Sequence, residues 1–71
     1  MNSNIVKIQG TVTYINLAGG FWAIIGKDDE KWRPTNLPKS LQNEGQVIEV
    51  EAEIVEDDMS LFMWGTVIEL L

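Results

Sequence analysis

The chain has 71 residues, eleven carboxylates against five basic side chains, and a formal net charge of −6. This length fits one domain, residues 1–71, with a small core, and a composition of 45% hydrophobic and 23% charged residues is that of a globular domain. The sequence holds no cysteine and no histidine, which excludes disulfides, thiolate sites and most catalytic groups. We therefore predict no enzyme, no cofactor and no metal.

The first predicted strand runs from Ile5 to Ile15, where apolar and polar side chains alternate as in a half-buried strand. Gly10 falls on the inward set, and a missing side chain there lets a long strand bend and serve both sides of a barrel. A turn cluster over residues 16–20 and an apolar run from Phe21 to Ile25 predict the second strand.

In the second strand we expect Phe21, Ala23 and Ile25 to point inward, which places Trp22 and Ile24 outside. A polar turn over residues 26–30 leads to a short third strand, Lys31 to Arg33, which Pro34 ends because proline has no N–H.

The signals between Asn36 and Gly45 predict one or two turns of helix, with Asn36 as the cap, Pro38 in the first turn and Gly45 at the end. Residues 46–56 alternate again and predict the fourth strand. An acidic turn over residues 56–60 leads to a fifth strand, Leu61 to Leu71, with a bulge near Gly65 that corrects its phase.

Three strands, a short helix and two more strands predict an all-β protein, a five-stranded OB-like barrel in the order β-β-β-α-β-β. The alternative is an SH3-like barrel, which carries its helical turn between the last two strands.

Several groups of turn, packing and aromatic residues follow one another along the chain: Gly19-Gly20-Phe21-Trp22, Asp28-Asp29, Asn36-Leu37-Pro38, Gly45 and Met63-Trp64-Gly65. In these groups, over about Gly10 to Leu70, the sequence resembles small uncharacterised prokaryotic proteins with OB-fold-like β-barrels and unknown function. The resemblance implies the barrel and implies no activity.

Three tryptophans are many for so small a core, so we expect some of them to be exposed. Candidate binding residues lie in and near the second and third strands, the face that OB domains use for ligands: Trp22, Lys31, Trp32, Arg33 and Trp64. Flanking basic residues suit single-stranded nucleic acid, but Asp28, Asp29 and Glu30 neutralise them. The alternative interpretation is that the tryptophans only cover the barrel wall or its end.

Glu49, Glu51 and Glu53 share one face of the fourth strand and form an acidic stripe, which we interpret as a solvated face that discourages edge pairing. A basic partner protein, nucleic-acid mimicry or Ca²⁺ remain alternatives, although no spacing matches an EF-hand loop.

We predict a non-catalytic protein-interaction or structural module that uses exposed aromatic residues to bind another protein or itself. The alternative is an OB-type binder of single-stranded nucleic acid or oligosaccharide through the strand 2 to 3 face. The net negative charge makes nucleic acid an unlikely partner. The sequence shows no membrane span and no secretory signal, and we expect a cytoplasmic protein.

Overall fold

Five strands close into a barrel in the computed structural model, which describes residues 4–55 and 64–71. The strands are β1 (Ile5–Ile15), β2 (Phe21–Gly26), β3 (Lys31–Pro34), β4 (Val47–Ile54) and β5 (Thr66–Leu70). Their order around the barrel is β1-β2-β3-β5-β4, and the pair of β3 and β5 is parallel. The predicted all-β, OB-like barrel is confirmed. A helical turn lies between β3 and β4, as the predicted OB-like order requires. Residues 56–63, where the SH3-like alternative would carry its turn, lie outside the described residues.

Gly10 is the point at which β1 changes partners. It lies opposite Gly26 in β2 and opposite Ile48 in β4, so one continuous strand serves both sides of the barrel. A Cβ atom on Gly10 would stand 2.5 Å from the carbonyl oxygen of Ile25. The close approach of β2 therefore requires glycine here, as the predicted bend implies.

The core is formed by side chains that alternate along the strands. Its buried members come from β1, β2, β4 and β5: Ile8, Val12, Ile24, Ile48, Ala52 and Ile68. Leu37 and Leu41, from the connection between β3 and β4, pack against this cluster and cover part of the barrel interior. The inward and outward faces predicted for the fourth strand are both confirmed, and its three glutamates are exposed.

The predicted helix is a single 3₁₀ turn, Lys39–Leu41, which Pro38 precedes without a side-chain cap. Asn36 does not cap it. Its side chain pairs with the backbone of Leu70, accepting the Leu70 N–H at 2.8 Å and donating to the Leu70 carbonyl at 3.2 Å. The Asn36 side chain thus adds one more pair of hydrogen bonds beyond the last residue pair of β3 and β5. A second 3₁₀ turn, Lys27–Asp29, joins β2 to β3.

The predicted facing of the second strand is wrong. Ile24 is fully buried in the core cluster and Trp22 packs against it, so these two residues face inward. Their position follows from the register, because Ile24 pairs with Val12, which is itself a core residue. Ala23 is also fully buried although it faces outward, so β2 is covered on both faces at its centre.

The predicted fifth strand is confirmed from Thr66 to Leu70. The predicted acidic turn over residues 56–60 and the start of that strand, residues 61–63, lie outside the described residues. The bulge near Gly65 is predicted from the phase of those residues and stays a prediction. No helix in the described part of the chain is both long enough and apolar enough to cross a membrane.

Candidate binding surface

The five predicted site residues do not form one surface. Trp22 and Trp32 face inward, are half-buried and pack against the core cluster. Arg33 follows Trp32 in β3 and therefore points to the outside of the barrel. Lys31 is exposed on the same strand, and Trp64 is half-buried just before β5. Of these five residues, Lys31, Arg33 and Trp64 form the external group.

An outer aromatic cluster, consisting of Phe21, Arg33 and Trp64, lies on the wall formed by β2 and β3. The rings of Phe21 and Trp64 meet edge to face, with centroids 5.2 Å apart and planes at 67°. The guanidinium carbon of Arg33 stands 6.0 Å from the centre of the Phe21 ring, at the outer limit of a cation–π contact. The sequence did not place Phe21 in this group, because we expected it to face inward.

Gly65 fixes where Trp64 lies. Its φ of +68° is in the left-handed region that favours glycine, and a Cβ atom here would stand 2.9 Å from the carbonyl oxygen of Lys31. The chain therefore passes directly against the start of β3 before β5 begins. This close approach places the ring of Trp64 against Phe21.

A second aromatic pair lies near the start of β2. Tyr14 and Trp22 face each other across the β1–β2 ladder, with ring centroids 5.2 Å apart and planes at 70°. Tyr14 is 45% exposed, whereas Trp22 is half-buried. Gly20 stands directly beneath the tyrosine hydroxyl, where any side chain would overlap it. This pair covers part of the barrel and presents one edge of the tyrosine to solvent.

Near the other end of β2 a small pocket of about 180 Å³ opens between β1 and the turn that joins β2 to β3. We call it the turn pocket; its lining residues are Lys7, Ile8, Gln9, Lys27, Glu30 and Trp32. The indole Nε1 of Trp32 is buried and has no hydrogen-bond partner among the described residues. Buried donors of this kind are uncommon in folded proteins.

Glu44 has a structural role that the sequence did not indicate. Its carboxylate accepts hydrogen bonds from the Thr13 hydroxyl at 2.7 Å and from the backbone N–H of Tyr14 at 2.8 Å. These two donors, the hydroxyl first, lower the pKa of Glu44 below its ordinary value, against a smaller opposing effect of burial. The loop before β4 is thereby attached to β1. No periodic pattern marks a loop residue, so the contact could not be read from the sequence.

The outer face of β4 is acidic. Glu51 lies opposite Lys7 of β1, whereas Glu53 lies opposite Glu69 of β5. In the described residues no group of three or more acidic side chains is arranged to hold a metal ion. Exposed apolar side chains flank the stripe: Ile5, Val47 and Leu71. The basic side chains of β3 and the carboxylates of β4 thus lie on different walls of the barrel.

The fold and these surfaces define a small OB-like β-barrel with an aromatic outer wall. No family model matches the chain, and no curated protein or solved structure does.

Proposed function

We propose that this protein is a non-catalytic interaction module whose outer aromatic cluster binds a protein surface. The observation that supports the proposal is the position of Phe21 beside both Trp64 and Arg33, on the outside of a barrel whose interior is filled by other residues. Aromatic residues and arginine are enriched at protein interfaces, and the rim around such a centre is polar.

The partner surface that complements this cluster is acidic with apolar residues at its edges. Arg33 and the exposed Lys31 supply positive charge beside the two rings. The β4 face of a second copy of the chain has the complementary features, since its glutamate stripe is flanked by Val47 and Leu71. We therefore propose self-association between the β2–β3 wall of one copy and the β4 face of another.

The size of the barrel limits this contact to one wall. A standard interface covers about 800 Å² on each partner, about a sixth of the 4849 Å² surface of this chain. A contact between two unlike faces leaves one β2–β3 wall and one β4 face unoccupied at the ends of the assembly. Further copies can therefore add at both ends, and the assembly is an open chain unless its rotation closes it into a ring.

Sedimentation velocity over a range of protein concentrations tests the proposal. We expect association that weakens with added salt and that Trp64→Ala or Arg33→Gln reduces. Lys39→Gln removes the same charge as Arg33→Gln from the 3₁₀ turn after β3 and should leave the association unchanged. A protein that stays monomeric at every concentration would contradict self-association and leave the cluster as a cover of the barrel wall.

Fluorescence anisotropy with labelled single-stranded oligonucleotides tests the alternative. Oligonucleotide binding that falls steeply with salt and is lost in Arg33→Gln would overturn the proposal in favour of a single-strand binder. Salt-independent quenching of tryptophan emission by an oligosaccharide, lost in Trp64→Ala, would favour the sugar-binding form of that alternative.

A further inference from the structure

The turn pocket lies where the β1–β2 ladder ends. The last pair of that ladder joins Gly10 to Gly26, and the part of β1 before Gly10 has no β2 partner within the described residues. The 3₁₀ turn Lys27–Asp29 lies across from this segment, which is paired with β4 but not with β2. The pocket occupies the space between the turn and the segment. The gap is therefore a consequence of the strand pairing.

The polar groups around the pocket favour an anion that accepts hydrogen bonds. Lys7 and Lys27 line it together with a single carboxylate, Glu30, so its wall carries a net positive charge in a chain of net charge −6. The buried indole N–H of Trp32 donates to no described residue. An acceptor on a ligand would satisfy this donor, which otherwise carries the cost of an unmade hydrogen bond.

Gly26 leaves space between the two groups that a ligand would meet. A Cβ atom at Gly26 would stand 3.2 Å from Nε1 of Trp32 and 3.4 Å from a carboxylate oxygen of Glu30. A side chain at Gly26 would therefore crowd both the indole N–H and that carboxylate. The net positive wall attracts any compact anion, and a carboxylate and a phosphate share this chemistry.

We propose that the turn pocket binds a compact anion, a carboxylate or a phosphate group, which accepts a hydrogen bond from the Trp32 indole and is neutralised by Lys7 and Lys27. A volume of about 180 Å³ accommodates a small organic acid or the terminal carboxylate of a peptide. The pocket is a second site, lined by none of the outer aromatic cluster, so it does not depend on the proposed self-association.

The indole ¹H–¹⁵N resonance of Trp32 gives a direct measure of this contact. It is assigned by its absence in Trp32→Phe and followed while sodium acetate replaces sodium chloride at constant pH and ionic strength. We expect a saturable shift of this resonance with acetate. A resonance that does not move, or that moves without saturating, would overturn the proposal.

Charge variants locate the site. Lys7→Met or Lys27→Met should each weaken acetate binding roughly tenfold, the effect of losing one charge-assisted hydrogen bond. Lys39→Met makes the same change outside the pocket and should leave the affinity unchanged, whereas Glu30→Gln should increase it. Equal weakening by all three lysine variants would show a nonspecific effect of net charge and contradict the site.

Three further titrations distinguish the source of the anion. A short peptide with a free C-terminus that binds more tightly than acetate and than its own amidated form would identify a peptide terminus as the ligand. Equal affinity for acetate and the free-terminus peptide would identify a small acid. Inorganic phosphate that binds more tightly than either would identify a phosphate group.

Discussion

Glu53 of β4 lies directly opposite Glu69 of β5 in the antiparallel ladder, and both side chains are exposed. Like charges at such positions destabilise a sheet, so Glu69→Lys should raise the free energy of unfolding by roughly 0.2 to 1 kcal/mol. Glu49→Lys changes the net charge equally but faces the neutral Gln9, so it serves as the control. Urea denaturation at low and high salt measures both variants. A gain for Glu49→Lys as large as that for Glu69→Lys would show an effect of net charge alone.

Gly10→Val should destabilise the barrel, because its Cβ atom would stand 2.5 Å from the Ile25 carbonyl oxygen. Overpacking of this kind costs about 1 to 3 kcal/mol, and each kcal/mol lowers the melting temperature by about 4 to 8 °C in a domain of this size. Gln9→Val places the same residue at the neighbouring exposed position and should melt close to the wild type. Equal melting temperatures for the two variants would refute the role of Gly10.

Gly20→Ala should cost more stability than Gly19→Ala. Both glycines have φ near +90°, so the backbone strain is similar in the two variants. A Cβ atom at Gly20 overlaps the hydroxyl of Tyr14, whereas one at Gly19 meets nothing within 4 Å. Thermal melting compares the two. The tryptophan emission should also change only in Gly20→Ala, because a displaced Tyr14 loses its contact with Trp22, and a variant with unchanged emission would contradict this.

Glu44→Gln should reduce stability at neutral pH and have less effect in acid. The pKa of Glu44 is lower in the folded chain than in the unfolded chain, so its contribution is present above the unfolded pKa. That contribution is lost as the pH falls through the folded pKa, which lies below the ordinary value. Chemical denaturation across this range measures the difference between variant and wild type, with Glu49→Gln as the exposed control. A difference that stays constant with pH would contradict this role of the charge.

The sequence predicts the barrel well where one face of a strand is polar. The glutamates of β4 alternate with core residues, so both the strand and its inward face are evident. The apolar run of β2 gives no such alternation, and its facing is set instead by its register with β1, as the buried Ile24 shows. The pairing of β2 with β1, and not the local sequence pattern, determines which residues of β2 face the core.

The candidate surfaces are harder to predict for the same reason. Trp64 contacts Phe21 because Gly65 lies close to Lys31. The turn pocket brings Lys7 of β1 and Trp32 of β3 into one lining. Neither contact corresponds to a recognisable spacing of residues along the sequence. The predicted helix is present as one 3₁₀ turn, but its predicted Asn36 cap is wrong because that side chain bonds the distant backbone of Leu70.

The rung that Asn36 makes with Leu70 joins residues separated by 34 positions. The parallel pair of β3 and β5 beside it is equally distant in sequence, so the barrel closes only when far-apart segments meet. Folding rates fall as the mean sequence separation of contacts rises, and small β-barrels fold in milliseconds to seconds rather than microseconds. The chain should therefore fold slowly for its length. Until the barrel closes, its β5 residues should remain unpaired and the apolar side chains of the core should be exposed to association with other chains.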